Sequence, residues 1–231
     1  MPDSRSSPPP KFLDAGESAL VVEFGRVVDA ALHDRVLALD AAVAAAEIDG
    51  ISETVPTYRS LMVHYDARRL GRNELVERLR ALLGETAHRR PNATRRKVPV
   101  SFELPHAEDL AEVASKLRLD EHRIVEEFSR ASYRLYMYGF LPGFAYLGRL
   151  PEALRIPRRE APRSVVQPGA ILIAGEQVVI AGVSSPTGWY MIGRTPLRVL
   201  DLQRNPPFLF DVGDEIAFEP IDRAAYDRLA L

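Results

Sequence analysis

Ala170-Ile171-Leu172-Ile173-Ala174-Gly175-Glu176-Gln177-Val178-Val179-Ile180-Ala181 holds two short apolar runs, Ala170–Ala174 and Gln177–Ala181, joined by Gly175-Glu176. Runs of this length, rich in Val and Ile and broken by a glycine, read as β-strands. The same texture extends to either side. Arg134–Tyr138, Trp189–Ile192, Leu197–Leu202 and Glu215–Phe218 are further β-rich runs, and ten of the 18 prolines fall between Pro142 and Pro220. No window there supports a long helix. Short strands with Gly and Pro turns indicate a closed or nearly closed β-barrel from Tyr133 onward.

Upstream the pattern alternates. Ala19–Phe24, Ile51–Val55 and Ser60–Tyr65 read as strands, the second stopping at Pro56. Asp29 offers an N-cap to a helix carrying Leu32, Val36, Leu39 and Val43 at spacings of three and four. Asn73 is the expected cap of a second helix with Leu75 and Leu79 on one face and Gly84 at its end. The order β-α-β-β-α indicates a small antiparallel sheet with helices on one face. After it, Val98–Phe102 reads as a strand and two helices are expected near Glu108–Leu117 and Asp120–Ser129. The chain is thus α+β in front and all-β behind. Residues 1–11 are expected to be a disordered tail, 12–87 a small α+β domain, 88–97 a linker, and 98–231 a barrel domain with two leading helices.

Composition narrows the chemistry. With 30 Lys+Arg against 32 Asp+Glu in 231 residues, the net charge of -2 argues against nucleic-acid binding through a diffuse positive field. Zero cysteine excludes disulfides, thiolate metal sites and Cys nucleophiles. Lysine occurs only at Lys11, Lys97 and Lys116, which leaves the second half without a Schiff-base candidate. Neither an export signal nor a membrane span is expected, because Met1–Pro10 is Ser/Pro-rich and polar and the longest apolar run, Ala41–Ala46, is short. The chain reads as cytoplasmic.

The usual catalytic constellations are missing. His33, His64, His88, His106 and His122 all precede Tyr133, and no two have metal-ligand spacing on one helix face. His64 reads as half-buried in a strand, and His33 and His122 as facing solvent on helices. There is no G-x-S-x-G, Walker lysine or G-x-G-x-x-G. No catalytic residue and no metal ligand is assigned. The unusual segments are three. Tyr138–Gly148 packs three glycines, a proline and four aromatics into eleven residues, and composition alone reads it as a tight turn packed by its own rings. Arg149, Arg155, Arg158, Arg159 and Arg163 face only Glu152 and Glu160 in their own stretch, and read as a solvated basic loop. Ser184–Pro196 contains the only tryptophan, Trp189, followed by Gly193-Arg194-Thr195-Pro196. Converging at one barrel mouth, these turns would make an anion-friendly pocket or partner surface.

Taken together, these segments resemble the family of the 5-oxoprolinase B subunit, also called allophanate hydrolase subunit 1, with the KipI kinase inhibitors and carboxyltransferase subdomains C and D. The resemblance runs from about Phe12 to Ile221. It is carried by Gly16–Gly25, Val55–Asp66, Gly139-Phe140-Leu141-Pro142-Gly143-Phe144-Ala145-Tyr146-Leu147, Pro157-Arg158-Arg159 with Pro162-Arg163, and Ile192-Gly193-Arg194-Thr195-Pro196-Leu197.

That resemblance implies a cyclophilin-like barrel behind a small α+β domain. It further implies a heteromeric, ATP-dependent bacterial amidohydrolase that opens 5-oxoproline to glutamate. The active site would be shared with a homologous barrel protein (subunit 2, or the C subunit), a third protein, the A subunit, would join them, and the assembled complex would bind ATP. Standalone activity is not expected. The substrate-binding residues it implies are Gly139, Phe140, Pro142, Gly143, Tyr146, Arg158, Arg163, Gly188, Trp189, Gly193, Arg194 and Thr195. The arginines would position substrate, and Gly143 and Trp189 would shape the pocket. Two other activities occur on the same scaffold, the carboxyltransferase half of a biotin-dependent urea carboxylase or allophanate system, and a KipI-like inhibitor of a sensor histidine kinase. The sequence departs from the family pattern at Phe102-Glu103-Leu104, at Phe128 where a histidine is usual, at Ala181-Gly182, and at Thr187.

Overall fold

The computed structural model describes residues 9–86 and 93–230. The chain separates into two compact units, Met1–Asn92 and Ala93–Leu231, each considered by itself.

The first unit is a four-stranded antiparallel sheet in the order β1-β2-β4-β3, with β1 Lys11–Asp14, β2 Ala19–Glu23, β3 Ile51–Pro56 and β4 Ser60–Tyr65. The period of two along β4 buries Leu61, Val63 and Tyr65 and leaves Ser60, Met62 and His64 half-buried. Those buried residues meet Val36, Leu39 and Val43 of α1 (Ala30–Ala46) and Leu75 and Leu79 of α2 (Arg72–Thr86) in one core. Asp29 caps α1 as expected, accepting from Leu32 N at 3.0 Å.

Two expectations about the helices fail here. His33 is fully buried, because it precedes Val36 and Leu37 by three and four residues and shares their inward stripe. Asn73 does not cap α2, which begins one residue earlier and runs through Gly84 to Thr86. Lys11, counted with the tail, pairs with Glu23 in β1. The rest of that tail up to residue 8, and residues 88–92 of the expected linker, lie outside the described residues.

The second unit is a closed barrel in the order β10-β7-β6-β13-β5-β12-β9. Its strands are β5 Arg95–Ser101, β6 Ser132–Tyr138, β7 Ala145–Leu147, β9 Ala170–Ala174, β10 Gln177–Ile180, β12 Tyr190–Arg194 and β13 Glu215–Ile221. β13 and β5 run parallel over seven residue pairs, Glu215↔Arg95 to Ile221↔Ser101, so the last three residues of the expected linker are strand. The Ala170–Ala181 stretch forms an antiparallel pair, with Gln177 opposite Ala174. Alternation sorts its side chains: Ile171, Ile173, Val178 and Ile180 enter the barrel core, while Ala170, Leu172, Ala174 and Val179 face outward into a separate apolar layer.

Helices α3 (Leu110–Leu117) and α4 (Glu121–Arg130) contribute Leu110, Val113, Ile124 and Phe128 to the barrel core. Asp120 caps α4 through Arg123 N at 2.7 Å. Short strands β8 (Arg163–Val166) and β11 (Ser185–Thr187) pair with each other outside the barrel.

Leu197–Leu202 is not a strand; only Leu200 bridges to Phe208. The ladder there is that bridge alone, with Leu209 N donating to Val199 O and Asp201 N to Pro207 O at 2.9 Å each, and Arg204 donates to the same two carbonyls at 3.3 Å and 2.8 Å. Helix α5 (Arg223–Leu229), capped by Asp222, closes the chain. With one buried residue, Tyr226, it has no apolar period to reveal it beforehand.

Candidate functional site

The glycine-aromatic turn is built on two close approaches. Gly143 has φ +72°, and a Cβ on it would lie 2.6 Å from Leu200 Cβ. A Cβ on Gly182 would lie 2.4 Å from the carbonyl carbon of Gly143, so the two glycines pack backbone on backbone. The loop is thereby fixed against the end of β10, with Phe140 at φ +66° and 72% exposed. Phe140 stands edge-on to Phe144, centroids 5.6 Å apart, and Tyr146 stands edge-on to Trp189 at 6.2 Å.

These four rings, with Arg158, Leu172, Val179, Pro186, Thr187 and Gly188, line a cleft of about 150 Å³. Leu172 and Val179 point outward from the sheet, so the cleft sits on the outer wall of the barrel rather than at its mouth. Arg158 is its one cation among the described residues, with the guanidinium carbon 5.8 Å from the Trp189 ring centre. Burial raises the Tyr146 phenol above its ordinary pKa, and Arg158 acts in the opposite direction. Thr187 Oγ1 accepts from Trp189 N at 3.1 Å and holds the entry to β12. The result is a small cavity with flat walls and one positive group, suited to a planar ligand bearing one negative charge.

The basic loop is not simply solvated. Arg149 and Arg155 reach Glu176, and Arg159 and Arg163 converge on Asp109 at the start of α3. Asp109 is 3% exposed; Oδ1 accepts from Arg159 and Arg163, and Oδ2 accepts from Met191 N at 2.7 Å. Burial works against the Arg163 charge, but Asp109 and Glu108 hold its pKa above the ordinary value. Arg159 N donates to Gly188 O at 2.8 Å, tying this cluster to the cleft. Sequence reasoning missed Asp109 as the hub, because its partners lie about fifty residues away.

The expected site residues therefore separate. Phe140, Tyr146, Arg158, Gly188 and Trp189 come together in the cleft, with Gly139 and Gly143 in the loop that carries them. Pro142 is exposed on that loop. Arg163 is held in the Asp109 cluster, away from the cleft lining. Gly193 faces inward, where a Cβ would meet Val100 and Phe102. Arg194 and Thr195 line a different pocket of about 400 Å³, with Gly182, Arg198, Leu200 and Tyr226 among its other walls. Phe128 lines neither cavity; it is buried in the core, stacked 4.9 Å from Phe218. Among the described residues no group of three or more His, Asp or Glu is placed to hold a metal, and no helix is long and apolar enough to cross a membrane.

A closed seven-stranded barrel with helices packed on it, in a chain that also carries a small α+β unit, defines the class as a cyclophilin-like barrel protein. The family model for carboxyltransferase domain, subdomain C and D, matches residues 10–210. The solved structure of Kluyveromyces lactis urea carboxylase shares the fold, with TM-score 0.73 over 99% of this chain and 23% of that one at 19% identity. The solved structure of TTHA0988 is 35% identical, with TM-score 0.80 over 88% of this chain, which covers 40% of that longer one.

Among curated relatives, the 5-oxoprolinase B subunit of Bacillus subtilis is 31% identical over 222 residues, 91% of this chain and 92% of the relative. That of Escherichia coli O157:H7 is 33% identical over 205 residues, 89% and 93% of the two chains. The chain belongs to the carboxyltransferase subdomain C and D family, in the branch of the 5-oxoprolinase B subunits.

Proposed function

We propose that this chain is one member of a heteromeric, ATP-dependent amidohydrolase of the 5-oxoprolinase type, acting in the cytoplasm, and that the aromatic cleft takes the cyclic amide. The observation that carries the reading is the identity of 31% and 33%, along about nine-tenths of the chain, to proteins named as the B subunit of 5-oxoprolinase. The cleft agrees with it. Its aromatic walls suit the faces of a small planar ring, and Arg158 suits the ring's carboxylate.

Among the described residues the cleft's titratable side chains are Tyr146 and Arg158, with no carboxylate or imidazole, which supports a binding and orienting role for this chain while a homologous barrel protein supplies further acid–base groups. ATP bound by the assembled complex supplies the driving force for adding water across the amide C–N bond. The test is reconstitution with the homologous barrel protein and the third protein of the complex, following loss of 5-oxoproline, gain of glutamate and ATP hydrolysis. Turnover by the complex and none by the chain alone is the expected result. An intact, folded complex without turnover overturns the proposal. Capture of a biotinylated carrier, or block of kinase autophosphorylation by the chain alone, would instead identify one of the other activities of this scaffold.

A further inference from the structure

Several arginines of the barrel unit are met by a carboxylate, and Arg158 stands as the one cation of the cleft among the described residues. Arg96 reaches Asp214, Arg123 reaches Glu126, and Arg159 and Arg163 reach Asp109. Arg194 and Arg198 differ. Both line the 400 Å³ pocket, no Asp or Glu is among its lining residues, and no ion pair joins either to a carboxylate among the described residues.

Arg194 is also held in place. Its Nε donates to Pro168 O at 3.0 Å, and its guanidinium carbon lies 5.9 Å from the Tyr226 ring centre. Tyr226 is backed by His106, with ring centroids 3.8 Å apart. Two arginines lining one cavity with no Asp or Glu among its walls favour an anion there, and two cations match a dianion better than a single carboxylate. A phosphoryl group carries about −1.5 to −2 charges near neutrality.

We infer that the Arg194–Arg198 pocket binds a phosphoryl group, as inorganic phosphate, pyrophosphate or a nucleotide, at a site separate from the aromatic cleft. Gly182 lines this pocket and packs on Gly143, whose neighbours Phe140 and Phe144 line the cleft. An anion here therefore lies across one glycine contact from the loop that holds the proposed amide site. Only the biological source of the phosphoryl group rests on the 5-oxoprolinase-type reading; the binding chemistry does not.

The test is titration calorimetry on the full chain with phosphate, pyrophosphate, ATP and acetate, repeated for Arg194→Gln, Arg198→Gln and Arg158→Gln. Wild type is expected to bind pyrophosphate more tightly than acetate. Arg198→Gln, whose side chain is exposed, should weaken pyrophosphate about tenfold without changing the melting temperature, and Arg194→Gln at least as much. Arg158→Gln should leave it unchanged. ATP tighter than pyrophosphate identifies a nucleotide; equal affinity identifies a bare phosphoryl ligand. The inference is overturned by no pyrophosphate binding at millimolar concentration, by equal binding of acetate, or by loss of binding in Arg158→Gln alone. None of these readouts requires turnover, so failure here is distinguishable from failure of the proposed enzyme activity.

Discussion

Asp109 accepts a hydrogen bond from Arg159 at 2.7 Å while almost wholly removed from solvent, and the same carboxylate takes the amide of Met191. One side chain thus joins α3, strand β12 and the 157–163 loop. Asp109→Asn keeps the shape and removes the charge, leaving Arg159 and Arg163 only the exposed Glu112 and Glu108. Removing one partner of a buried ion pair costs about 3–5 kcal/mol, and the partial exposure of the arginines lowers that to about 2–3 kcal/mol here. Denaturant unfolding should show a lower midpoint at unchanged slope. A midpoint within error of wild type would remove Asp109 from this role.

The Gly143–Gly182 contact makes a contrast among three glycines. Gly143→Ala puts a Cβ against Leu200 at positive φ and should destabilise by about 1–3 kcal/mol. Gly182→Ala meets backbone rather than a movable side chain and should cost at least as much. Gly188 has nothing within 4 Å of an added Cβ, so Gly188→Ala should melt like wild type. Equal melting temperatures for all three variants would mean that the loop is not pinned by this contact.

Much of this architecture is legible before any coordinates. Ser60–Tyr65 and Ala170–Ala174 are strands because alternation and β-branched content act locally, and Asp29 and Asp120 cap because a cap is a short-range event. Less legible were features that residue type alone disguises. His33 looks polar on a helix, yet it shares the inward stripe of Val36 and Leu37; Leu197–Leu202 looks like strand and pairs only at Leu200. The site divides in the same way. Motif proximity placed Arg158, Arg163 and Arg194 together, but the barrel sends one to a cleft, one to an ion cluster and one to a second pocket. Sequence order along a barrel does not state on which wall a turn will lie.

Trp189 is the only tryptophan and lines the cleft beneath Arg158, so its emission reports occupancy. Titrating the chain with 5-oxoproline should change Trp189 fluorescence saturably. Arg158→Gln should raise the apparent dissociation constant about tenfold, the loss expected for one charge-assisted hydrogen bond. Phe140→Ala removes an exposed wall and should weaken binding by a smaller factor, with stability unaltered. Unchanged affinity in Arg158→Gln would place the carboxylate elsewhere.

His106 is 7% exposed, packed against Tyr226 with the rings tilted by 31°, and its Nδ1 has no hydrogen-bond partner among the described residues. Burial lowers its pKa below the ordinary 6.5; Arg194 and Arg223 push the same way, against Asp227 and Glu103. A base whose folded pKa is depressed takes up its proton more readily when unfolded, so stability is complete above pH 6.5 and declines as pH falls below it. Denaturation midpoints of wild type should therefore drop between pH 7.5 and about pH 5.5 by more than those of His106→Phe, which keeps a ring against Tyr226 and cannot titrate. Parallel profiles for the two proteins would show that the imidazole is not the group responsible, and a steeper profile for His106→Phe would reverse the sign assigned to it.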